Sequence, residues 1–127
     1  MRGKIDLSDL RDLPEEHEFR VARYFADLGK DVKFIQRSNI PNVHTPDIHM
    51  DGLDWEIKCP QGSGRNVMAH NFIKALAQSR NIIIDLRRCS MDDSKSVKEL
   101  KKLFKEKTRA KKLLIIMKNG ELIENSR

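Results

Sequence analysis

At 127 residues, with 39% hydrophobic and 35% charged residues and a net charge of +6, the chain is long enough for one folded unit with its own core and too apolar for a disordered one. No apolar run approaches the roughly 20 residues that a membrane helix needs, and Met1-Arg-Gly-Lys-Ile-Asp-Leu has no apolar signal core, so no export signal is expected in this polypeptide. The pI near 9.5 suits a polyanionic partner such as nucleic acid, or else describes a solvated basic surface.

In chain order, residues 1–13 are polar with scattered leucines and read as an arm or a short helix. Pro14-Glu15-Glu16 opens a helix, with proline in the first turn and acids at the positive end of the dipole; it runs to Leu28 and stops at Gly29. Val21, Ala22, Phe25 and Leu28 form its apolar stripe, and Glu18 lies on that same inward stripe, where a carboxylate needs a reason. A strand is predicted at 32–37. Two more, 44–50 and 53–59, flank Asp51-Gly52, a strong signal for a two-residue hairpin. Gln61 to Arg65 is a flexible loop, and a helix over 66–79 turns Met68, Phe72, Ala75 and Leu76 inward. Asn81-Ile-Ile-Ile-Asp-Leu86 reads as a strand buried on both faces. A basic amphipathic helix over 92–107 turns Val97, Leu100, Leu103 and Phe104 inward. A buried strand at 113–117, the Asn119-Gly120 turn and a short strand at 122–123 close the chain. This order predicts an α/β (α+β) fold, a mixed central sheet flanked by helices. Cys59 and Cys89 lie in apolar strand-like runs without zinc-ligand spacing, so both are expected as small buried hydrophobes rather than a disulfide.

The hairpin carries the chemistry. A two-residue loop pairs Met50 with Leu53, His49 with Asp54 and Ile48 with Trp55; continued outward, it pairs Asp47 with Glu56 and Thr45 with Lys58. Alternation then places Asp47, Glu56 and Lys58 on one face and Ile48, Trp55, Ile57 and Cys59 on the other. Opposed Cβ atoms lie roughly 5 Å apart, so two carboxylates there repel unless a cation sits between them. Mg²⁺ prefers oxygen ligands and commonly uses one or two carboxylates. The backbone carbonyl of Ile57 can add a ligand, and Lys58 would stand beside the ion to orient a water or stabilise charge on phosphate. Without such an ion, the same residues are a solvated polar face. Trp55 points away from the carboxylates and reads as core.

Pro46-Asp47 followed by Glu56-Ile57-Lys58 resembles the signature of the PD-(D/E)xK nuclease superfamily, which implies a restriction-endonuclease-like core, catalytic Asp47, Glu56 and Lys58, and a glutamate from the first helix. Glu18 takes that place, as a catalytic residue and a further metal ligand, with Glu16 as runner-up. Thr45-Pro-Asp-Ile, Trp55-Glu-Ile-Lys-Cys-Pro-Gln-Gly and Ala77-Gln-Ser-Arg-Asn-Ile-Ile-Ile-Asp-Leu-Arg are similar to the C-terminal tRNase domain of contact-dependent growth-inhibition (CdiA) toxins. That resemblance spans about Pro14 to Leu122. It implies a single nuclease domain over 1–127, with 1–13 as an arm, that cleaves tRNA with Mg²⁺ or another divalent ion such as Mn²⁺ or Zn²⁺. It also implies a cognate immunity protein, action in the cytoplasm and delivery as the end of a larger secreted toxin. The alternatives are a DNA endonuclease of a phage or mobile element, since nothing in the residues separates RNA from DNA, and a non-catalytic nucleic-acid-binding module.

Arg65, at the end of a Gly-Ser-Gly loop before a helix, is a candidate phosphate ligand, with a plain connection as the alternative. His70 and Gln78 share a helical stripe with Lys74 that faces either the site or solvent; both are carried as substrate-binding candidates. Arg87, with Arg88, follows the buried strand and is a candidate for backbone phosphate. Lys95, Lys98, Lys101, Lys102, Lys105 and Lys107 read as a solvated helix face.

Overall fold

The computed structural model describes residues 1–127. Its elements are β1 (Ile5–Asp6), α1 (Glu16–Asp27), β2 (Val32–Phe34), β3 (Ile48–Met50), β4 (Leu53–Lys58), α2 (Val67–Gln78), β5 (Asn81–Asp85), α3 (Asp93–Glu106), β6 (Lys112–Ile116) and β7 (Leu122–Ser126). The strands form one seven-stranded sheet in sequence order. β2, β3 and β4 are an antiparallel meander, β4, β5 and β6 are parallel, and β7 returns antiparallel to β6. The expected mixed sheet flanked by helices is therefore present.

Each face of the sheet carries its own core. On one face the α1 stripe of Val21, Ala22 and Phe25 packs on Phe34, Ile48, Met50, Trp55, Ile57 and Ile83. On the other, Met68, Phe72 and Ala75 of α2 and Leu100 and Phe104 of α3 pack on Ile82, Ile84, Leu113 and Ile115. The Ile82-Ile83-Ile84 run is apolar throughout because alternation sends Ile83 to one core and its neighbours to the other. The two helices linking the parallel strands share a face, as right-handed crossovers that advance in one direction require.

The Asp51-Gly52 turn is as expected. Asp51 (φ 55°) and Gly52 (φ 76°) both take positive φ, the two-residue geometry that matches strand twist. It fixes Ile48 opposite Trp55, His49 opposite Asp54 and Met50 opposite Leu53. Trp55 is core, its indole N–H donating to the Met50 carbonyl at 2.9 Å. Both cysteines are free and buried.

Four strands differ markedly from expectation. The first segment is neither arm nor helix where Ile5–Asp6 pairs parallel with β2. The strand before the hairpin starts at Ile48 rather than His44, and β2 ends at Phe34 rather than Arg37. The last strand extends to Ser126, where Ser126 pairs with Lys112.

Candidate active site

The site forms at the carboxyl end of β4, where the hairpin ladder breaks. Asp47 was expected to face Glu56, and Thr45 to face Lys58, as further rungs. The structure corrects this: the paired register ends at Ile48–Trp55. The Asp47 N–H donates to the carbonyl of Trp55, the residue already opposite Ile48, while the Asp47 carbonyl accepts from Ile35 N–H on the other side. In a regular strand the N–H and C=O of one residue point to the same edge; here they point to opposite edges. This local twist turns the carboxylate inward, and Asp47 Oδ2 accepts from the Ile57 backbone N–H at 2.8 Å. A side chain thus replaces the next rung and sets Asp47 beside Glu56.

Glu56 and Lys58 pair with Ile82 and Ile84 across the parallel ladder and share their face, while Trp55, Ile57 and Cys59 fill the α1 core. Glu56 is 4% exposed. Its Oε2 lies 3.3 Å from Lys58 Nζ, and its Oε1 is buried without a hydrogen-bond partner. Burial first, and then the Asp47 charge, push the Glu56 carboxyl up to about 8 against the opposing pull of Lys58. A proton or a cation next to Oε1 relieves that cost.

Glu18 approaches from the α1 side. It is mostly buried, and burial, followed by the Asp47 charge, raises its carboxyl above the usual range. The Arg37 guanidinium bridges the two, with Nη2 at 3.4 Å from Glu18 Oε2 and 3.3 Å from Asp47 Oδ1. Arg37 leaves the end of β2 in a loop closed by Ile35 N–H to the Asp47 carbonyl and by Ser38 N–H to Thr45 Oγ1. It also stands between two clefts. One of about 340 Å³ contains Glu18 and Asp47, the other of about 180 Å³ contains Glu56, Lys58 and Gln78, and Arg37 lines both.

The donor set suits a hard divalent cation. Glu56 Oε1 is unpartnered, Asp47 is adjacent, and the Ile57 carbonyl is directed to the same edge as its N–H, toward Asp47. All are oxygen donors with no His or Cys among them, which suits Mg²⁺ or Mn²⁺ better than Zn²⁺. Three acidic side chains do not converge on one point: no group of three or more His, Cys, Asp or Glu is placed to hold an ion together. Glu18 meets Asp47 through Arg37.

A model of the contact-dependent growth inhibition CdiA C-terminal domain matches residues 44–122, which include Asp47, Glu56, Lys58 and the strands that carry them. The chain belongs to that family. Among solved structures, the CdiA-CT/CdiI toxin and immunity complex from Burkholderia pseudomallei matches with a TM-score of 0.69 and 17% identity, covering 98% of this chain and 100% of that one. At that identity the likeness is one of fold. No curated protein matches.

Of the other residues singled out in this CdiA C-terminal domain, the structure brings Gln78 into the cleft with Glu56 and Lys58. It does not bring Arg65 or His70 there: both are exposed and line neither cleft. Arg87 lies in a separate cavity and is committed to Asp85, with Nε–Oδ1 at 2.9 Å and Nη2–Oδ2 at 3.0 Å. Glu16 is exposed, as are the α3 lysines. Arg37 is the residue that sequence reasoning missed. Its partners lie 10 and 19 positions away, and no spacing rule joins them until the loop is closed.

Proposed function

We propose that this CdiA C-terminal domain is a metal-dependent nuclease of the PD-(D/E)xK kind that hydrolyses phosphodiester bonds in RNA, tRNA foremost. The observation that carries this reading is the buried, unpartnered Glu56 Oε1 beside Asp47, with Lys58 Nζ 3.3 Å from the other oxygen of Glu56. A solvated polar face would leave those carboxylates in water. Burying two of them together costs stability, which a bound cation offsets.

Asp47, Glu56 and the Ile57 carbonyl are the residues that would hold Mg²⁺ or Mn²⁺. Bound there, such an ion polarises a phosphoryl oxygen and lowers the pKa of a bound water. Lys58 presents its ammonium beside Glu56, where it orients the attacking water or stabilises negative charge building on phosphate. Glu18 and Arg37 support the site from the α1 side by fixing the Asp47 carboxylate. Gln78 offers an amide to the substrate at the mouth of the Lys58 cleft. The solved toxin and immunity complex with this fold supports a cognate immunity protein for this chain too. Membership in the CdiA C-terminal family supports delivery as the end of a larger secreted toxin, with action in the cytoplasm of the recipient cell.

Incubating the purified chain with total tRNA and, separately, with plasmid DNA, each with Mg²⁺ or with EDTA, tests this. Cleavage of tRNA that needs Mg²⁺ is the expected result. Cleavage of plasmid alone shifts the substrate to DNA; binding without cleavage in either arm makes the domain a non-catalytic module.

A further inference from the structure

A cavity larger than either carboxylate cleft lies outside that site. It has a volume of about 490 Å³ and is lined by Arg20, Arg23 and Tyr24 of α1, by Arg87 and Arg88 after β5, and by Gly120 of the last turn. Arg87 is its fixed wall, gripped by Asp85 and with its guanidinium 5.2 Å over the Tyr24 ring. Tyr24 is held in turn by its hydroxyl donating to the Gly120 carbonyl at 2.7 Å. The other acid on the wall, Asp27, is paired with Arg2 at 3.1 Å.

Three guanidinium groups on this cavity have no carboxylate partner. Arg20 makes no side-chain hydrogen bond or ion pair, Arg23 only stacks over Phe19 at 5.6 Å, and Arg88 Nε donates only to the Cys59 carbonyl at 3.1 Å. Like charges gathered without counter-ions repel, and an anion between them removes that cost. Their location connects them to the chemistry. Cys59 follows Lys58, and its sulfur touches the His17 carbonyl, next to Glu18. The cavity therefore opens at the carboxyl ends of β4 and β5, the end of an open sheet where ligands bind.

We infer that this groove is a second nucleic-acid subsite, in which Arg20, Arg23 and Arg88 hold backbone phosphates of the strand away from the bond being cut. The inference rests on the nuclease reading and adds where the rest of the substrate lies. Phosphate contacts of this kind set register and carry no base information, and guanidinium forks suit phosphate oxygens.

The test is the Arg20→Ala/Arg23→Ala double variant. Its affinity for unfractionated tRNA is measured in EDTA, so that binding is read without cleavage, across a series of salt concentrations. Both residues are exposed on α1, so the fold should survive, as circular dichroism will report. A Lys98→Ala/Lys101→Ala variant on the exposed face of α3 removes the same charge elsewhere. The groove variant should bind about tenfold or more weakly, and its log–log salt dependence should flatten by about 1.4–1.8, near 0.7–0.9 for each of the two phosphates that are no longer neutralised. The α3 variant should stay near wild type. Equal effects of the two variants, or an unchanged salt slope in the groove variant, overturn the subsite. A wild-type chain that cleaves tRNA with Mg²⁺ while the groove variant binds normally defeats the subsite alone; one that neither cleaves nor binds nucleic acid defeats the nuclease reading as well.

Discussion

A single guanidinium stands where the charges of Glu18 and Asp47 converge, within 3.4 Å of each. Arg37 neutralises part of the acidic cluster without filling the place beside Glu56 Oε1, which remains unpartnered. Removing it leaves two mostly buried carboxylates facing each other. Arg37→Ala should therefore lower Tm in EDTA by a few degrees, roughly 1 kcal/mol for a domain of this size, and Mg²⁺ should restore part of the loss. An unchanged Tm in EDTA would show that the bridge carries no energy. Glu56 gives the pH prediction. Its folded carboxyl titrates at about 8 against an ordinary 4.5, so ionising it is harder in the folded chain. The stability tied to its neutral form is complete below about 4.5, drains away as pH rises towards 8 and is flat above. Glu56→Gln keeps the shape and removes the charge. In EDTA it should match wild type near pH 5 and exceed it at pH 8.5 by on the order of 1 kcal/mol or more, read as Tm across pH. A constant difference at all pH values would contradict the burial of that charge beside Asp47.

At the scale of elements, the hairpin positions everything else. Both turn residues take positive φ, and Gly52 does so at 76°, where a β-branched side chain is strained. Gly52→Val should cost about 1–3 kcal/mol. It should also weaken Mg²⁺-dependent activity, because the turn sets the register of β4 and so the place of Glu56 relative to Asp47; denaturant melts and cleavage rates check the two effects together. This much of the hairpin was legible in the sequence, because Asp-Gly between alternating runs fixes register without tertiary knowledge. Ile82-Ile83-Ile84 was legible as a two-face strand, and Glu18 was marked by lying on an apolar stripe. The break at Asp47 was not legible. Extrapolating period-2 alternation assumes a continuous ladder, whereas the Asp47 N–H returns to Trp55 and its carboxylate takes the Ile57 N–H. Such a side-chain substitution for a rung leaves no trace in hydrophobic pattern. The pairing of Ile5–Asp6 with β2 escaped for a similar reason, since two residues are too short to show a period. Arg65 and His70 were placed by loop composition and helical spacing, which give a face without its direction around the sheet.

Across the whole molecule, the parallel strands collect the acidic site and the arginine groove at one end, while the α3 lysines are exposed on the covering helix. On the proposed nuclease reading, the net charge of +6 would work by position rather than by total, with the arginine groove at the sheet end as the landing place for a polyanion. An immunity protein that silences the domain by covering this end would need to meet both basic and acidic surface, a constraint on its own charge pattern. The central claim, that Lys58 beside the Asp47–Glu56 pair performs hydrolysis, is tested most directly by one comparison. Single-turnover cleavage of tRNA in Mg²⁺ is measured for wild type and for Lys58→Ala, with circular dichroism showing both folded. A fall of about 10²-fold or more in the variant, with tRNA binding retained, is the predicted result. Cleavage by Lys58→Ala at the wild-type rate would contradict it.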